Sequence, residues 1–176
     1  MTATTPLLEI ARRDLADLNA NIVGLGDPDY DAARAVHNGM IDRHPALIVR
    51  CSNADDVARC IAFGRANGAP IAVRGGGHNG GGLGVVDDGI VIDLAGLAEV
   101  VVDPESDSVR VGGGCTWSDV DRATMELGRA TPSGIISTTG VGGLTRGGGL
   151  GRLTRRFGLT IDSLISADVV LADGSH

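Results

Sequence analysis

Glycine distribution constrains this chain more than any other feature. Twenty-eight of its 176 residues are glycine, more than twice the usual share of about 7%. They cluster at 75–89, 112–114 and 140–151, with no G-X-Y period, which excludes a collagen-like chain. Glycines bunched between apolar runs mark loops where the backbone takes positive φ or lies close against something else. The densest bunch, "VRGGGHNGGGLGVVDDGIVIDL" (Val73–Leu94), sets eight glycines around one histidine, His78.

That stretch contains a literal G-x-G-x-x-G at Gly75, Gly77 and Gly80, with Asp93 at the end of the next apolar run. A dinucleotide fold also needs a crossover helix opening at the third glycine. Only "GGLGVVDDG" separates Gly80 from Ile90. Nine residues with four glycines are too few and too flexible for such a helix. The reading left is a strand-to-strand loop whose successive amides form a nest for an anion such as pyrophosphate. Arg74 enters the loop and either adds charge or is solvated. His78 has no bulky neighbour before Leu83, so a ligand can reach it. The second cluster, "SGIISTTGVGG" (133–143), offers the hydroxyls of Ser137, Thr138 and Thr139 and the amides of Gly140, Gly142 and Gly143. Two cradles of this kind in one small domain point to a large ligand with two phosphates. The alternative, two turns without a ligand, leaves the glycine content unexplained.

Hydrophobic residues make up 43% of the chain, which excludes disorder. A net charge of −7 and 2% aromatics argue against nucleic-acid binding. No apolar run is long enough to cross a membrane and no secretory leader opens the chain, so a cytoplasmic location is expected. Cys51, Cys60 and Cys115 lack metal spacing and are expected to be reduced and structural. His37 and His44 have no partners at metal spacing, Asp87 and Asp88 read as a solvated turn, and no nucleophile-elbow or P-loop motif occurs.

Along the chain, "TPLLEIARRDLADLNA" (5–20) reads as a helix capped by Thr5, with Pro6 at its first position. A loop-rich connection follows, with a short helix at Asp31–His37. "ALIVRC" (46–51), a helix over 52–68 with Ser52 and Asp55 as capping box and Gly68 at its end, and "PIAVR" (70–74) form a right-handed βαβ unit with a parallel strand pair. "GIVIDL" (89–94) is a further strand. "EVVVD" (99–103) and "SVRVG" (108–112) form a hairpin across "PESD". A helix follows with Thr116 and Asp119 as capping box and Gly128 at its end. The glycine-rich stretch 131–152 has no convincing period. "SADVVLADGSH" (166–176) reads as a strand running into a turn at Asp173-Gly174, which calls for a returning strand and leads us to expect a fragment of something longer.

Three segments carry a family likeness. "PALIVRCSNADDVARCIAFGRANGAPIAVRGGGHN", "VDPESDSVRVGGGCTWSDVDRATMELGRATPSG" and "STTGVGGLTRGGGLGRLTRRFGLTIDSLISADVVLADG" resemble the PCMH-type FAD-binding domain of the vanillyl-alcohol oxidase superfamily. Within it they are most similar to berberine-bridge-enzyme-like oxidoreductases. The likeness covers about residues 28–176. It implies an α+β fold of two α+β subdomains, the second incomplete here, with residues 1–42 as an N-terminal helix and lead-in and 43–176 as the domain.

The resemblance implies FAD as cofactor, held by Arg74, Gly75, Gly76, Gly77, His78 and Asn79 and by Ser137, Thr138, Thr139, Gly140, Gly142 and Gly143. It implies covalent attachment of the flavin 8α carbon to His78. Many members of the family add a second bond from a cysteine. Ile136 stands at that position, so attachment through His78 alone is expected, and Cys115 does not substitute. Arg146 and Arg152 stand where apolar or aromatic residues are usual. The implied activity is hydride removal from a C–H bond of a small organic substrate, with O2 as acceptor and no nucleic-acid or membrane partner. The catalytic residues and the substrate domain of the family are not in this sequence, and a non-catalytic FAD-binding module is the rival reading.

Overall fold

The structure, a computed structural model, describes residues 6–18 and 20–176. Thr5, the expected cap of the first helix, lies outside the described residues. The chain divides into two compact units. One takes the chain up to Arg74, His78–Gly96 and Asp168–His176; the other takes Gly75–Gly77 and Leu97–Ala167.

The first unit is built on a four-stranded sheet. Its elements are α1 (Pro6–Asp14), β1 (Asn21–Gly24), α2 (Tyr30–Arg34), β2 (Leu47–Arg50), α3 (Ala54–Ala66), β3 (Ile71–Arg74) and β4 (Ile90–Asp93), with strand order β1-β2-β4-β3. β1 runs antiparallel to β2, and β4 is parallel to both β2 and β3. The expected βαβ unit is therefore present but opened: β2 and β3 run in the same direction without pairing, because β4 inserts between them. The inserted strand is the most apolar of the four, and every one of its residues is buried. Near-continuous apolar runs suit strands covered on both faces.

Register explains how the core is shared. Val23, Ile48, Val91 and Ala72 are cross-strand partners in one row. That row packs with Tyr30, Ala33 and Val85. The Tyr30 hydroxyl donates to the Pro45 carbonyl at 2.7 Å, so its polar end is satisfied inside the core. On α3, Val57, Cys60, Ile61 and Gly64 are buried, and Gly64 lets the helix sit directly on the Ile71 side chain. The α3 cap differs from expectation. Asn53 is the N-cap, accepting from the Asp56 amide at 2.8 Å, while Asp56 accepts from the Ser52 amide at 2.9 Å. Asn53 is the better cap because its oxygen reaches the third amide of the helix. Gly68 ends the helix at φ +61°, as read. α1 ends at Asp14 rather than near Ala20, and β1 has no counterpart in the sequence reading.

The second unit holds the hairpin β5 (Val100–Asp103) and β6 (Ser108–Val111), then α4 (Trp117–Met125), α5 (Val141–Arg146), α6 (Thr154–Phe157) and a 3-10 turn at Thr160–Ser163. The hairpin is antiparallel, as expected, with Asp103 opposite Ser108. At the start of α4 the Asp119 carboxylate accepts from the Thr116 amide at 2.8 Å and from its hydroxyl at 2.7 Å, so the expected box forms. α5 is a helix that glycine content concealed. The strand expected over 166–172 does not form. Its turn does: the Gly174 amide donates to Leu171 and the Leu171 amide to Ser175. No strand among the described residues pairs with this segment, and Ile165, Val169 and Leu171 stay exposed. All three cysteines are buried and unbridged. No helix among the described residues is long and apolar enough to cross a membrane.

β3 and β4 are locked at the end that leads into the glycine loop. Arg74 and Asp93 are register partners, and the guanidinium donates to the carboxylate at 2.7 Å with both side chains more than nine-tenths buried. Removing one member of a buried pair strands the other charge, at a cost of about 3–5 kcal/mol. Asp93→Ala is therefore expected to lower the urea midpoint by that much stability without changing the slope, whereas exposed Arg110→Ala, paired with Glu99 on the surface, leaves it nearly unchanged.

Candidate functional site

The chain leaves β3 at Arg74 and enters the loop read as the cradle. There is no helix between Gly80 and Ile90, only turns, so the dinucleotide reading is excluded by the backbone itself. Asp93 is a strand-end residue tied to Arg74. Arg74 is neither solvated nor directed outward: besides Asp93 it reaches the Ala35 carbonyl at 3.4 Å. Its positive charge is committed to fixing the start of the loop.

Gly75, Gly76 and Gly77 belong to the second unit, and the first two pack within it. A side chain on Gly75 would press on the Gly113 carbonyl, 3.2 Å away. One on Gly76 would overlap the backbone nitrogen and Cα of Gly140, and the reverse holds for Gly140 against Gly76. Gly142 faces the Gly113 carbonyl at 3.9 Å from where its Cβ would be. Residues from all three glycine clusters therefore meet backbone on backbone. Gly77 has φ +70°, the left-handed region that glycine adopts without strain. The amides of Gly76 and Gly77 donate no hydrogen bond among the described residues, which leaves two adjacent donors for a ligand.

The other arm of the cradle is stitched to α4. The Trp117 amide donates to Thr139 and the Ser118 amide to Ser137, at 3.0 and 2.9 Å, while the Val141 amide donates to Cys115 at 2.9 Å. These bonds use the first-turn donors that a helix cannot satisfy internally. Ser137 and Thr138 are exposed, Thr139 is half-buried and Gly140 is buried. Gly142 and Gly143 lie in the first turn of α5, Gly143 facing open space. The structure thus joins Gly75–Gly77 to Thr138–Gly140, two motifs some 60 residues apart in the sequence. Ile136 is exposed in the same segment, whereas Cys115 is enclosed, its thiol pushed up by burial.

His78 and Asn79 belong to the first unit. The Asn79 side chain accepts from the Leu83 amide at 3.1 Å and its carbonyl accepts from Gly82, so it shapes the turn. Asn38 supports the loop from outside by donating to the Gly80 carbonyl at 2.9 Å, and Gly82 lies against Ile41. His78 is half-buried and its ring stacks on His37, with centroids 3.9 Å apart and planes 14° apart. Burial first, and the neighbouring His37 second, hold its pKa below the ordinary histidine value. The lowered pKa favours the neutral ring at neutral pH. Sequence reading missed His37: it lies 41 residues from His78, and a stacking partner has no sequence signature.

Two outcomes follow for this site. Gly140 has φ −68°, which alanine adopts freely, so only lack of space opposes substitution. Gly140→Ala is expected to cost about 1–3 kcal/mol by overpacking, read as a lowered melting midpoint, while Gly143→Ala costs less than half as much. By NMR, the His78 imidazole is expected to titrate below about 6.5. Its contribution to stability is then present above that value and falls as pH drops through the depressed pKa, because the unfolded chain binds a proton that the folded one refuses.

Comparisons with known proteins agree with this arrangement. A family model described as an FAD binding domain matches residues 45–176. The FAD-linked oxidoreductase YgaK of Bacillus subtilis, itself uncharacterized, is 36% identical over 156 residues, covering 89% of this chain and 35% of that protein. The (R)-6-hydroxynicotine oxidase of Paenarthrobacter nicotinovorans is 34% identical over 157 residues, covering 89% of this chain and 34% of that protein. Among solved structures, 6-hydroxy-D-nicotine oxidase from Arthrobacter nicotinovorans superposes with a TM-score of 0.89 at 33% identity, over 97% of this chain and 36% of that one. Glucooligosaccharide oxidase from Acremonium strictum, which carries a 6-S-cysteinyl, 8α-N1-histidyl FAD, superposes with a TM-score of 0.87 at 29% identity, over 96% of this chain and 35% of that one. The chain thus spans about a third of the length of the relatives it matches. On the matched residues and this shared fold, it belongs to the FAD-binding domain family, in the berberine-bridge-enzyme-like group of the vanillyl-alcohol oxidase superfamily.

Proposed function

We propose that residues 43–176 form the FAD-binding part of an oxidoreductase, with 1–42 as its lead-in, and that FAD is held covalently through His78. The observation that carries this reading is the meeting of Gly75 and Gly76 with Gly113 and Thr138–Gly140, which leaves the Gly76 and Gly77 amides as unengaged donors; His78, the next residue in the chain, is half-buried with a lowered pKa. A doubly charged pyrophosphate fits such donors. No side chain intrudes where the glycines expose the backbone, so the residues present fit the group.

In this reading the Gly76 and Gly77 amides bind phosphate oxygens, and the hydroxyls of Ser137, Thr138 and Thr139 orient the ligand. Arg74 acts indirectly, by pinning the loop to β4 through Asp93. His78 offers a ring nitrogen for attachment. With Ile136 at the only position expected to supply a second bond, one tether is formed. When bound, FAD supplies a two-electron acceptor for hydride from a small organic C–H substrate, with O2 taking the electrons onward. The oxidases among the relatives support this class of substrate, and no residue of this chain is assigned as the catalytic base.

Attachment is tested on the protein expressed from its full reading frame. An acid-precipitated, washed pellet is expected to retain flavin fluorescence in the wild type and to lose it in His78→Ala. A colourless, non-fluorescent wild-type pellet would contradict covalent attachment. Release of intact FAD into the supernatant would then separate non-covalent binding from no binding.

A further inference from the structure

We propose that Cys51 and Cys60 are a latent disulfide site: hydrogen peroxide joins the two thiols, and the bond ties helix α3 to the end of β2. The inference stands apart from the function proposed above. It assigns chemistry to two residues outside both glycine motifs.

The two sulfurs are already in contact. Cys51 follows the last residue of β2, Cys60 lies in the middle of α3, and their Sγ atoms are 3.9 Å apart. Both residues are fully enclosed and both thiols are free of any bridge. Covering the sheet does not require this, because a small apolar residue at either place would pack as a cysteine does. Cys115 is different. Its thiol lies against the carbonyls of Leu97 and Glu99.

The backbone on either side of the pair is fixed. The Cys51 amide donates to the Asp93 carbonyl at 2.9 Å, which extends the bonding of β2 to β4 by one residue. Asn53 and Asp56 hold the turn into α3 through their bonds to the Asp56 and Ser52 amides. The chain between the cysteines is therefore folded back on itself before any sulfur bond exists. A disulfide is about 2.05 Å long, so the sulfurs must approach by roughly 2 Å. Rotation of a cysteine between staggered positions moves its sulfur by more than that.

Burial sets the conditions of reaction. Contact with Cys60 first, and burial second, hold the Cys51 thiol well above the ordinary cysteine range. A thiol kept protonated is a poor nucleophile, so the pair stays reduced while α3 covers it. Oxidation proceeds when the helix opens briefly from the sheet. Once one sulfur is oxidised, its partner is already in place.

The reaction balances with one peroxide. One thiol, on losing its proton, attacks a peroxide oxygen; the O–O bond breaks, a sulfenic acid forms and one water leaves. The second thiol attacks the sulfenic sulfur; the S–S bond forms, the S–O bond breaks and a second water leaves. The two thiols give up two hydrogens and two electrons, and hydrogen peroxide is reduced to two waters. The bond closes a short loop in the unfolded chain, and that constraint favours the folded state.

The test uses protein expressed from its full reading frame. It is treated with hydrogen peroxide, alkylated in denaturant and digested with trypsin without reductant. Cleavage after Arg50, Arg59 and Arg65 places the cysteines in separate peptides, Cys51–Arg59 and Cys60–Arg65. These two peptides are expected to appear joined and to separate on reduction, while the peptide holding Cys115 is alkylated. The urea midpoint of the oxidised protein is expected to rise by about 1 M and to return with reductant. Cys60→Ala is expected to show no rise on treatment with peroxide. Peptides that stay separate after peroxide, alkylated or singly oxidised, would overturn the proposal. So would a joined product whose midpoint lies at or below that of the reduced protein, since the bond would then oppose the fold. The peptide map is read on the wild type and decides the matter even where the variant folds poorly.

Discussion

The close approach of Gly76 to Gly140 is the contact on which the candidate site depends. At that point two stretches of backbone touch with no room for a Cβ on either. Such proximity is available only to glycine, and it brings a loop that starts at residue 75 against a turn that ends at residue 140. Gly113 adds a third backbone through its carbonyl. Glycine in these places is destabilising by its own entropy. What it provides in return is a polar surface of bare amides, with nothing projecting from it.

Two further devices hold the loop. The Arg74–Asp93 pair closes the mouth of β3 and β4, so the glycines begin from a rigid base. On the lead-in side, Asn38 and Ile41 support residues 80–82, and His37 covers His78. In the second unit, bonds from Trp117 and Ser118 to the carbonyls of Thr139 and Ser137 convert the start of α4 into a mount for the other arm. Flexibility of sequence is thus converted into a fixed shape by bonds made outside the glycines.

Much of this was legible in the sequence, for definable reasons. β2, β3 and β4 are apolar runs bounded by turn residues, and α3 has both a first-turn acidic pair and a closing glycine. Local signals of that kind survive into the fold. The order β2-β4-β3 was not legible, because which strand occupies the centre is decided by burial across the whole sheet. β1 was lost in a lead-in whose four strand residues carry no long alternation. α5 was hidden because two of its six residues are glycine, a poor helix former. The segment 166–172 has strand composition but no partner, and composition alone does not make a ladder.

The site followed the same division. His78 and the glycines stood out by density, and the family likeness gave them roles. Arg74 was visible as a charge, but its burial against Asp93 was not, since the pair is made by strand register. His37 has no sign in the sequence of its stack on His78, since the two are brought together only by the fold. The most direct test of the account is mass spectrometry of the tryptic peptide Gly75–Arg110, which contains His78, from the protein expressed with a riboflavin supply. The account predicts that this peptide carries the mass of FAD less two hydrogens, with the fragment ions locating it on His78. An unmodified peptide, or flavin bound to a different residue, would contradict it.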